Sequence, residues 1–256
     1  MKPRIFDSHA HYDSHQFDED RDALLALMAE NNIGTIVNSA ADWDSLTEVV
    51  ELAQKHAHVY AAVGLHPDEV KILDEEKFSF LKEQCKKEKV VAVGEIGLDY
   101  YWDNTPRDVQ EMWFVRQLDL ARELELPVII HSRDAAEDTL RIMKQYANGL
   151  RGVIHCFSYS KELADEYVKM GFYIGIGGVV TFKNGKKLKE IAREIPLERI
   201  LLETDCPYLA PHPHRGKINH SGLMSLTAQK LAQITGLEYG RAVQITRNNV
   251  RDLFGV

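Results

Sequence analysis

The chain has 256 residues, of which 45% are hydrophobic and 27% are charged, and its formal net charge is −8 at pH 7. This length is typical of a single α/β barrel of about 250 residues, and the composition allows a large apolar core. Proteins that coat duplex DNA normally carry a basic surface, so the acidic balance argues against tight, non-specific nucleic-acid binding, although it leaves room for a local polyanion site.

The N-terminal residues lack the apolar segment of a signal peptide, and no apolar run approaches the roughly 18 residues of a membrane span. The three cysteines, Cys85, Cys156 and Cys206, are widely spaced and form no CxxC pair. These features predict reduced thiols in a cytoplasmic protein that has no membrane association. No obligate protein partner is evident from the sequence.

Short β-branched segments alternate with longer amphipathic segments along the chain. Within 44–56, for example, Leu46, Val49, Val50 and Ala53 recur at helical spacing. The predicted strands cover residues 4–9, 35–41, 59–65, 90–99, 127–132, 152–157, 173–182 and 200–205. The predicted helices cover residues 20–31, 44–56, 78–87, 107–125, 135–147, 161–170, 186–195, 223–235 and 241–254.

Eight βα units without a linker or low-complexity break predict one domain over residues 1–256, built on a parallel sheet. A doubly wound sheet of seven or eight strands is an alternative, but the even repeat of eight favours a TIM-type (β/α)8 barrel. The longest segment without a predicted element is 206–222. Its prolines, histidines and basic residues favour a structured active-site loop.

Polar side chains occur at or just after the ends of most predicted strands, which is where barrel enzymes build their sites. They are His9, His11, His66, Glu95, Asp99, His131, Arg133, His155, Glu203 and Asp205. Taken singly, each has an ordinary structural role open to it, such as a helix cap or an ion pair. Together, several imidazoles and carboxylates buried in one barrel mouth would be costly unless a partner paired them, and divalent metal ions are the simplest partner.

The number of these donors favours two ions. If the first strand runs to His9, then His9 and His11 point the same way near its end, because side chains alternate along a strand; the alternative is a polar loop whose histidines face water. Four histidines with Glu95 and Asp205 exceed the three protein ligands of one catalytic zinc. A bridging carboxylate from the fourth strand would hold two ions roughly 3.5–4 Å apart, with a bridging water as nucleophile and Asp205 as the base that accepts its proton.

Seven stretches occur in order over nearly the whole chain. They are FDSHAH at 6–11, GLHP at 64–67, VGEIGLDYY at 93–101, IIHSRDA at 129–135, HCFS at 155–158, LLETDCPYLAP at 201–211 and HRGKIN at 214–219. In this set the sequence resembles the TatD family of metal-dependent hydrolases, within the amidohydrolase superfamily. The resemblance implies that one ion is held by His9, His11 and Asp205, that the other is held by His131 and His155, and that Glu95 bridges them.

The same resemblance implies a substrate and its contacts. Family members are typically magnesium- or manganese-supported deoxyribonucleases that trim single strands from the 3′ end, so DNA is the implied substrate. The identity of the two ions stays open among Mg, Mn, Zn, Fe and Ni. Near the substrate phosphate, the resemblance places His66, Arg133, Arg215 and Lys217.

Several of these side chains have a second interpretation. Arg133 suits a charge-assisted bond to phosphate, or else a surface ion pair with Asp134 or Glu137. His66 would steady the phosphate or the leaving group, or else cap the chain before Pro67. Tyr101, beside Tyr100 and Trp102, suits stacking on an unpaired base, or else packs its own loop down.

Two other functions compete with a nuclease. An amidohydrolase-type enzyme would act on a lactone, a cyclic amide or a phosphoester, but many such relatives bridge their ions with a carboxylated lysine, where this chain has Glu95. The basic HRGK stretch also favours a phosphate. A non-catalytic metal scaffold is disfavoured, because a structural site closes its ligand shell whereas this one has spare ligands at an open mouth.

Overall fold

The computed structural model describes residues 3–102 and 104–256. Its eight strands form one sheet in sequence order, with every described pairing parallel. The strands are β1 (Ile5–Ala10), β2 (Ile33–Ser39), β3 (Val59–Ala62), β4 (Val90–Asp99), β5 (Val128–Arg133), β6 (Gly152–Ile154), β7 (Tyr173–Ile176) and β8 (Ile200–Leu202). The α-helices of this part of the chain are α1 (Arg21–Glu30), α2 (Ser45–Lys55), α3 (Glu75–Cys85), α4 (Arg107–Glu123), α5 (Ala136–Tyr146), α6 (Lys161–Lys169), α7 (Lys186–Glu194), α8 (Met224–Thr235) and α9 (Tyr239–Phe254).

The first and last strands meet and bring the sheet round into a nearly closed barrel. Ser8 Oγ donates a hydrogen bond of 3.1 Å to Leu202 O, and the Asp205 N–H donates to His9 O at 3.0 Å. The His11 N–H donates to Cys206 O at 2.8 Å. The predicted TIM-type barrel is therefore confirmed.

The barrel interior is filled with side chains. Six strands each contribute a fully buried residue to one cluster: Val37, Ala62, Ala92, Ile129, Val153 and Leu201. The end of α9 packs against this cluster through Val250, Leu253 and Phe254. On the outside, the helices bury their apolar faces, and in α2 the predicted face of Leu46, Val49, Val50 and Ala53 is buried. Because the interior is filled, polar groups collect at the mouth.

The last three strands are shorter than predicted, and the predictions to residues 157, 182 and 205 are wrong there. After β7 the chain turns into the 3-10 helix Gly178–Thr181, where a Cβ on Gly178 would lie 2.3 Å from Leu209 O. After β6 and β8, Cys156 and Asp205 adopt left-handed backbone angles, with φ of 43° and 56°. The polar residues after these strands therefore lie on turns, which a strand-based pattern does not anticipate.

Two helices begin earlier than predicted, because a side-chain cap precedes their apolar pattern. Asp74 accepts a hydrogen bond from the Lys77 N–H at 2.8 Å, so α3 begins at Glu75. Glu238 accepts one from the Arg241 N–H at 3.0 Å, so α9 begins at Tyr239. Among the described residues, no helix has both the length and the apolar character needed to cross a membrane.

The segment 206–222 is ordered by its contacts, as predicted for an active-site loop. Asn219 Nδ2 donates to Thr204 O at 2.9 Å, and the Asn219 N–H donates to Pro207 O at the same distance. Ser221 Oγ donates to Asp7 Oδ2 at 2.6 Å. The loop is thus fixed across the mouth between β8 and β1.

Candidate metal centre

Two histidines and an aspartate form the first group of donors at the mouth. His9 lies in β1 and His11 follows it, and their Nε2 atoms are 3.0 Å apart. Asp205 Oδ1 lies 3.7 Å from His9 Nε2 and 3.5 Å from His11 Nε2. Residues at opposite ends of the chain meet here because β1 lies next to β8.

Glu95 of β4 stands between this group and a second one. Its Oε2 lies 3.4 Å from His9 Nε2 and 3.6 Å from His11 Nε2. Its Oε1 lies 2.7 Å from both His131 Nδ1 and His155 Nε2, which are 3.1 Å from each other. One carboxylate therefore directs one oxygen at each pair of imidazoles.

Further side chains orient these rings through their second nitrogen. His11 Nδ1–H donates to Ser39 O at 2.8 Å, and His9 Nδ1 lies 3.1 Å from Ser39 Oγ. His131 Nε2–H donates to Asp99 Oδ2 at 2.9 Å. In a neutral imidazole such hydrogen bonds fix the tautomer, so that the other ring nitrogen can present its lone pair to a metal ion. The sequence pointed to Asp99 only as a strand-end residue, and its partnership with His131 follows from the pairing of β4 with β5.

Asp7, for which no role was predicted, supports the first group of donors. It is fully buried and accepts hydrogen bonds from Thr204 Oγ1 at 2.7 Å and Ser221 Oγ at 2.6 Å. These contacts tie β1 to the turn that carries Asp205. Asp7 lies two residues before His9 and so shares its face of the strand, which is the only hint of this role in the sequence. The partner Thr204 lies 197 residues further along the chain.

Glu203 is fully buried beside the second group. Its Oε1 accepts a hydrogen bond of 2.6 Å from the Cys156 N–H, which holds the turn that carries His155. Burial raises the pKa of Glu203 to about 8.

Charges within the centre are coupled. Burial opposes ionisation of Glu95, but His155, His9 and a hydrogen bond from His131 hold its pKa well below the usual range. Burial lowers the pKa of His9 to about 4. Burial also disfavours charge on His11, but the contact with Asp205 and the charge of Glu95 raise its pKa to about 10. A cation bound between the Nε2 atoms of His9 and His11, which are 3.0 Å apart, would compete with protons for their lone pairs.

The donor set fits divalent metal ions. Four triads of ligand atoms lie within 4.8 Å: His9, His155 and Asp205; His9, His11 and Glu95; Glu95, His131 and His155; and His66, Asp99 and His131. Imidazole and carboxylate are ligands of Zn, Mn, Fe and Ni, and buried lone pairs that face one another need a cation between them. The six predicted ligands are all in these triads, and the triad of His9, His155 and Asp205 joins residues that the prediction assigns to different ions.

The cysteines next to the ligands are poor candidates for ligands or nucleophiles. Burial raises the pKa of Cys156 well above its usual value and does the same for Cys206. Both therefore remain neutral thiols at physiological pH.

His66 and Arg133 lie next to the centre but make different contacts. The His66 ring packs edge-on against the His131 ring at 4.3 Å between centroids, and burial lowers the pKa of His66 to about 3. The Arg133 guanidinium lies 3.7 Å from the Tyr101 ring centroid. Within the described residues Arg133 has no ion pair with Asp134 or Glu137, so the alternative interpretation as a surface ion pair does not apply.

The remaining predicted substrate contacts lie further out. Tyr101 and Trp102 are 54% and 55% exposed on the loop after β4, and Arg133 reaches both rings. Arg215 lies 4.7 Å from the Phe182 ring, and Lys217 is exposed on the loop after β8. In the described part of the chain, neither Arg215 nor Lys217 has an ion pair with the six converging residues.

A (β/α)8 barrel with histidine and carboxylate donors gathered at its mouth defines the class as a metal-dependent hydrolase. The chain belongs to the TatD family, because the family model described as TatD related DNase matches residues 6–255. It is 42% identical over 253 residues to the uncharacterized metal-dependent hydrolase YabD of Bacillus subtilis, covering 98% of this chain and 99% of YabD.

Solved structures agree with this assignment. YjjV, a TatD homologue from Escherichia coli, is 31% identical and superposes with a TM-score of 0.93 over the full length of both chains. The phosphotriesterase homology protein of Escherichia coli has a TM-score of 0.67 at 14% identity, covering 99% of both chains, and shows the fold alone. The predicted family and the metal-dependent hydrolase class are confirmed.

Proposed function

We propose that the chain is a phosphodiesterase that degrades single-stranded DNA from its 3′ end. The observation that carries this proposal is the position of Glu95, whose two oxygens face two separate pairs of imidazoles. A carboxylate in this position suits a pair of ions, and paired ions are typical of enzymes that hydrolyse phosphate esters.

Two divalent ions, when bound, would supply positive charge that stabilises the charge developing on the phosphate. His9, His11 and Asp205 would hold one ion, His131 and His155 the other, and Glu95 both. The donor set leaves the metal open among Mg, Mn, Zn, Fe and Ni.

Asp205 is the proposed base. Burial opposes its ionisation, but the hydrogen bond with His11 and the charges of His155 and His9 lower its pKa. Its side chain is 16% exposed, so it reaches the open side of the centre. As a carboxylate, it would accept the proton of the attacking water.

Arg133 and His66 would contact the phosphate. The guanidinium of Arg133 is held against the Tyr101 ring and would donate charge-assisted hydrogen bonds to a non-bridging oxygen. Since His66 is neutral, it would act as a hydrogen-bond partner of the phosphate or leaving group and not as a charged acid. Tyr101, Arg215 and Lys217 would contact the strand beyond the scissile bond.

The test is digestion of a 5′-labelled single-stranded DNA oligomer with Mg²⁺ or Mn²⁺. Wild-type protein should give a ladder that shortens from the 3′ end, and Asp205→Asn or EDTA should abolish it. Asp252→Asn, which removes the same charge from the exposed end of α9, should digest like wild type.

Small substrates distinguish the proposed nuclease from the competing amidohydrolase-type enzyme. A p-nitrophenyl phosphodiester, a lactone and a cyclic amide should be assayed with and without chelator. Turnover of the lactone or amide in the absence of any digestion of DNA or phosphodiester would overturn the nuclease proposal. It would still leave a metal-dependent hydrolase.

The three cysteines are free thiols in the structure. This is in keeping with a reducing compartment, and we include a cytoplasmic location in the proposal.

A further inference from the structure

A cavity of about 310 Å³ opens beside the metal centre, between the ends of β6, β7 and β8 and the start of α7. Glu203 and Asp205 line it on the side of the centre. Its volume lies at the small end of the range for ligand pockets, ~300–1,000 Å³. The proposed roles of the metal ligands leave this space unused.

The inner wall of the cavity carries an unused hydrogen-bond acceptor. Glu203 is fully buried, and its Oε1 accepts the Cys156 N–H, but its Oε2 has no hydrogen-bond partner in the described part of the chain. A buried polar atom left without a partner is costly. A carboxyl oxygen accepts a hydrogen bond from an N–H group, so a donor of that kind is a fitting neighbour for Oε2.

The side walls are apolar. Phe157, Val179 and Leu188 line the cavity, and Phe157 and Leu188 belong to the buried core, with exposures of 3% and 7%. Such walls suit the flat, weakly polar faces of a nucleobase and the carbon atoms of a sugar. All four DNA bases also carry N–H donors at their edges.

The outer rim is basic. Lys186 and Lys187 line it, both are exposed, and neither has an ion pair among the described residues. They form the first turn of α7, a nine-residue helix with no acidic residue in that turn and no side-chain cap on Gly185. The first amide groups of a helix lack intrahelical acceptors and favour an anion.

We propose that this cavity binds the nucleotide unit on the strand side of the scissile phosphate, with its base donating to Glu203 Oε2 and the next phosphate at Lys186 and Lys187. The reason is the order of groups across the cavity, which runs from the metal centre to a hydrogen-bond acceptor, then to apolar walls and finally to a positively charged rim. A DNA strand presents phosphate, nucleoside and phosphate in the same order. At the last phosphodiester bond of a 3′ end, only the nucleotide on the strand side carries a further phosphate. The lysines of the rim therefore favour the nucleotide on that side. This inference rests on the proposed function.

Calorimetric titration of Mn²⁺-loaded protein tests the subsite without turnover. The ligands are inorganic phosphate, thymidine 3′-monophosphate and thymidine 3′,5′-bisphosphate. The monophosphate should bind at least tenfold more tightly than phosphate, because the nucleoside enters the cavity. The bisphosphate should gain at least a further tenfold from the lysines.

Two variants test which part of the cavity produces each gain in affinity. Val179→Trp, at a partly exposed wall position, should remove the nucleoside gain and leave phosphate binding unchanged. The exposed double variant Lys186→Gln/Lys187→Gln should remove the gain from the second phosphate. Its matched control is Lys86→Gln/Lys87→Gln, an exposed pair after the C-terminal end of α3, which should retain both gains.

Equal affinities for the three ligands would overturn the subsite, and so would a bisphosphate gain that survives in Lys186→Gln/Lys187→Gln. The subsite fails alone if wild-type protein digests DNA but shows no gains. The proposed function fails alone if both gains are present but neither DNA nor the small phosphodiester is cleaved.

Discussion

The hydrogen bond from His131 to Asp99 gives a sharp prediction about the second group of donors. Asp99 Oδ1 already accepts the Tyr101 N–H at 2.8 Å, so Asp99→Asn should keep its oxygen there and turn its NH₂ toward His131 Nε2. Two donors cannot face each other, so the ring proton should move to Nδ1. That nitrogen faces Glu95 Oε1 at 2.7 Å, and its lone pair would no longer be available to an ion.

The magnitude follows from the general effect of such supporting residues, whose loss lowers metal affinity about 10- to 100-fold, or about 1.4–2.8 kcal/mol. Only the ion near His131 and His155 should be affected, because His9 and His11 are oriented by Ser39. Titration with Mn²⁺ should therefore show one weakened step and one unchanged step.

The matched control is Asp138→Asn, which removes the same charge from a nearby residue that accepts the Tyr100 O–H at 3.0 Å. It should bind both ions like wild type. If Asp99→Asn weakens both steps equally, or neither, then Asp99 does not act through the His131 tautomer.

Three further predictions concern separate parts of the molecule. His9→Ala removes a ligand of the first group, so metal analysis should find one ion per chain. The control His15→Ala, at an exposed position, should keep the wild-type stoichiometry. Unchanged stoichiometry in His9→Ala would count against the ligand assignment. Trp102→Ala should weaken oligonucleotide binding and leave turnover of a small phosphodiester unchanged, with exposed Phe80→Ala on α3 as the control, and equal loss on both substrates would reject base stacking. Gly97→Ala should lower the free energy of unfolding by about 3 kcal/mol or more in urea titrations, because Gly97 has φ of 147° and its Cβ would lie 1.9 Å from His131 O. Gly149→Ala, with φ of 79° and no atom within 4 Å of its Cβ, should cost only about 1 kcal/mol, and similar losses in the two variants would show that the close contact is unimportant.

The sequence predicted the residues of the site better than it predicted the ends of the strands that carry them. The six predicted ligands converge because strand order follows chain order and parallel strands end at the same edge of a barrel. The exact ends of β6, β7 and β8 were wrong, because the turns after them depend on contacts with distant backbone. Gly178 lies against Leu209 O, and the Asp205 N–H bonds to His9 O.

Local pattern and composition by themselves determined the alternation of strands and helices, the donor types at the strand ends and the resemblance to a family. These depend on periodicity and on short motifs, which a linear sequence records directly. Tertiary structure alone decided which atoms meet: the division of the two Glu95 oxygens, the pairing of Asp99 with His131, and the contacts of Asp7 with Thr204 and Ser221. It also opened the cavity between Glu203 and the start of α7. The physical reason is that each of these depends on the closure and register of the barrel, which bring together residues that are far apart in the chain.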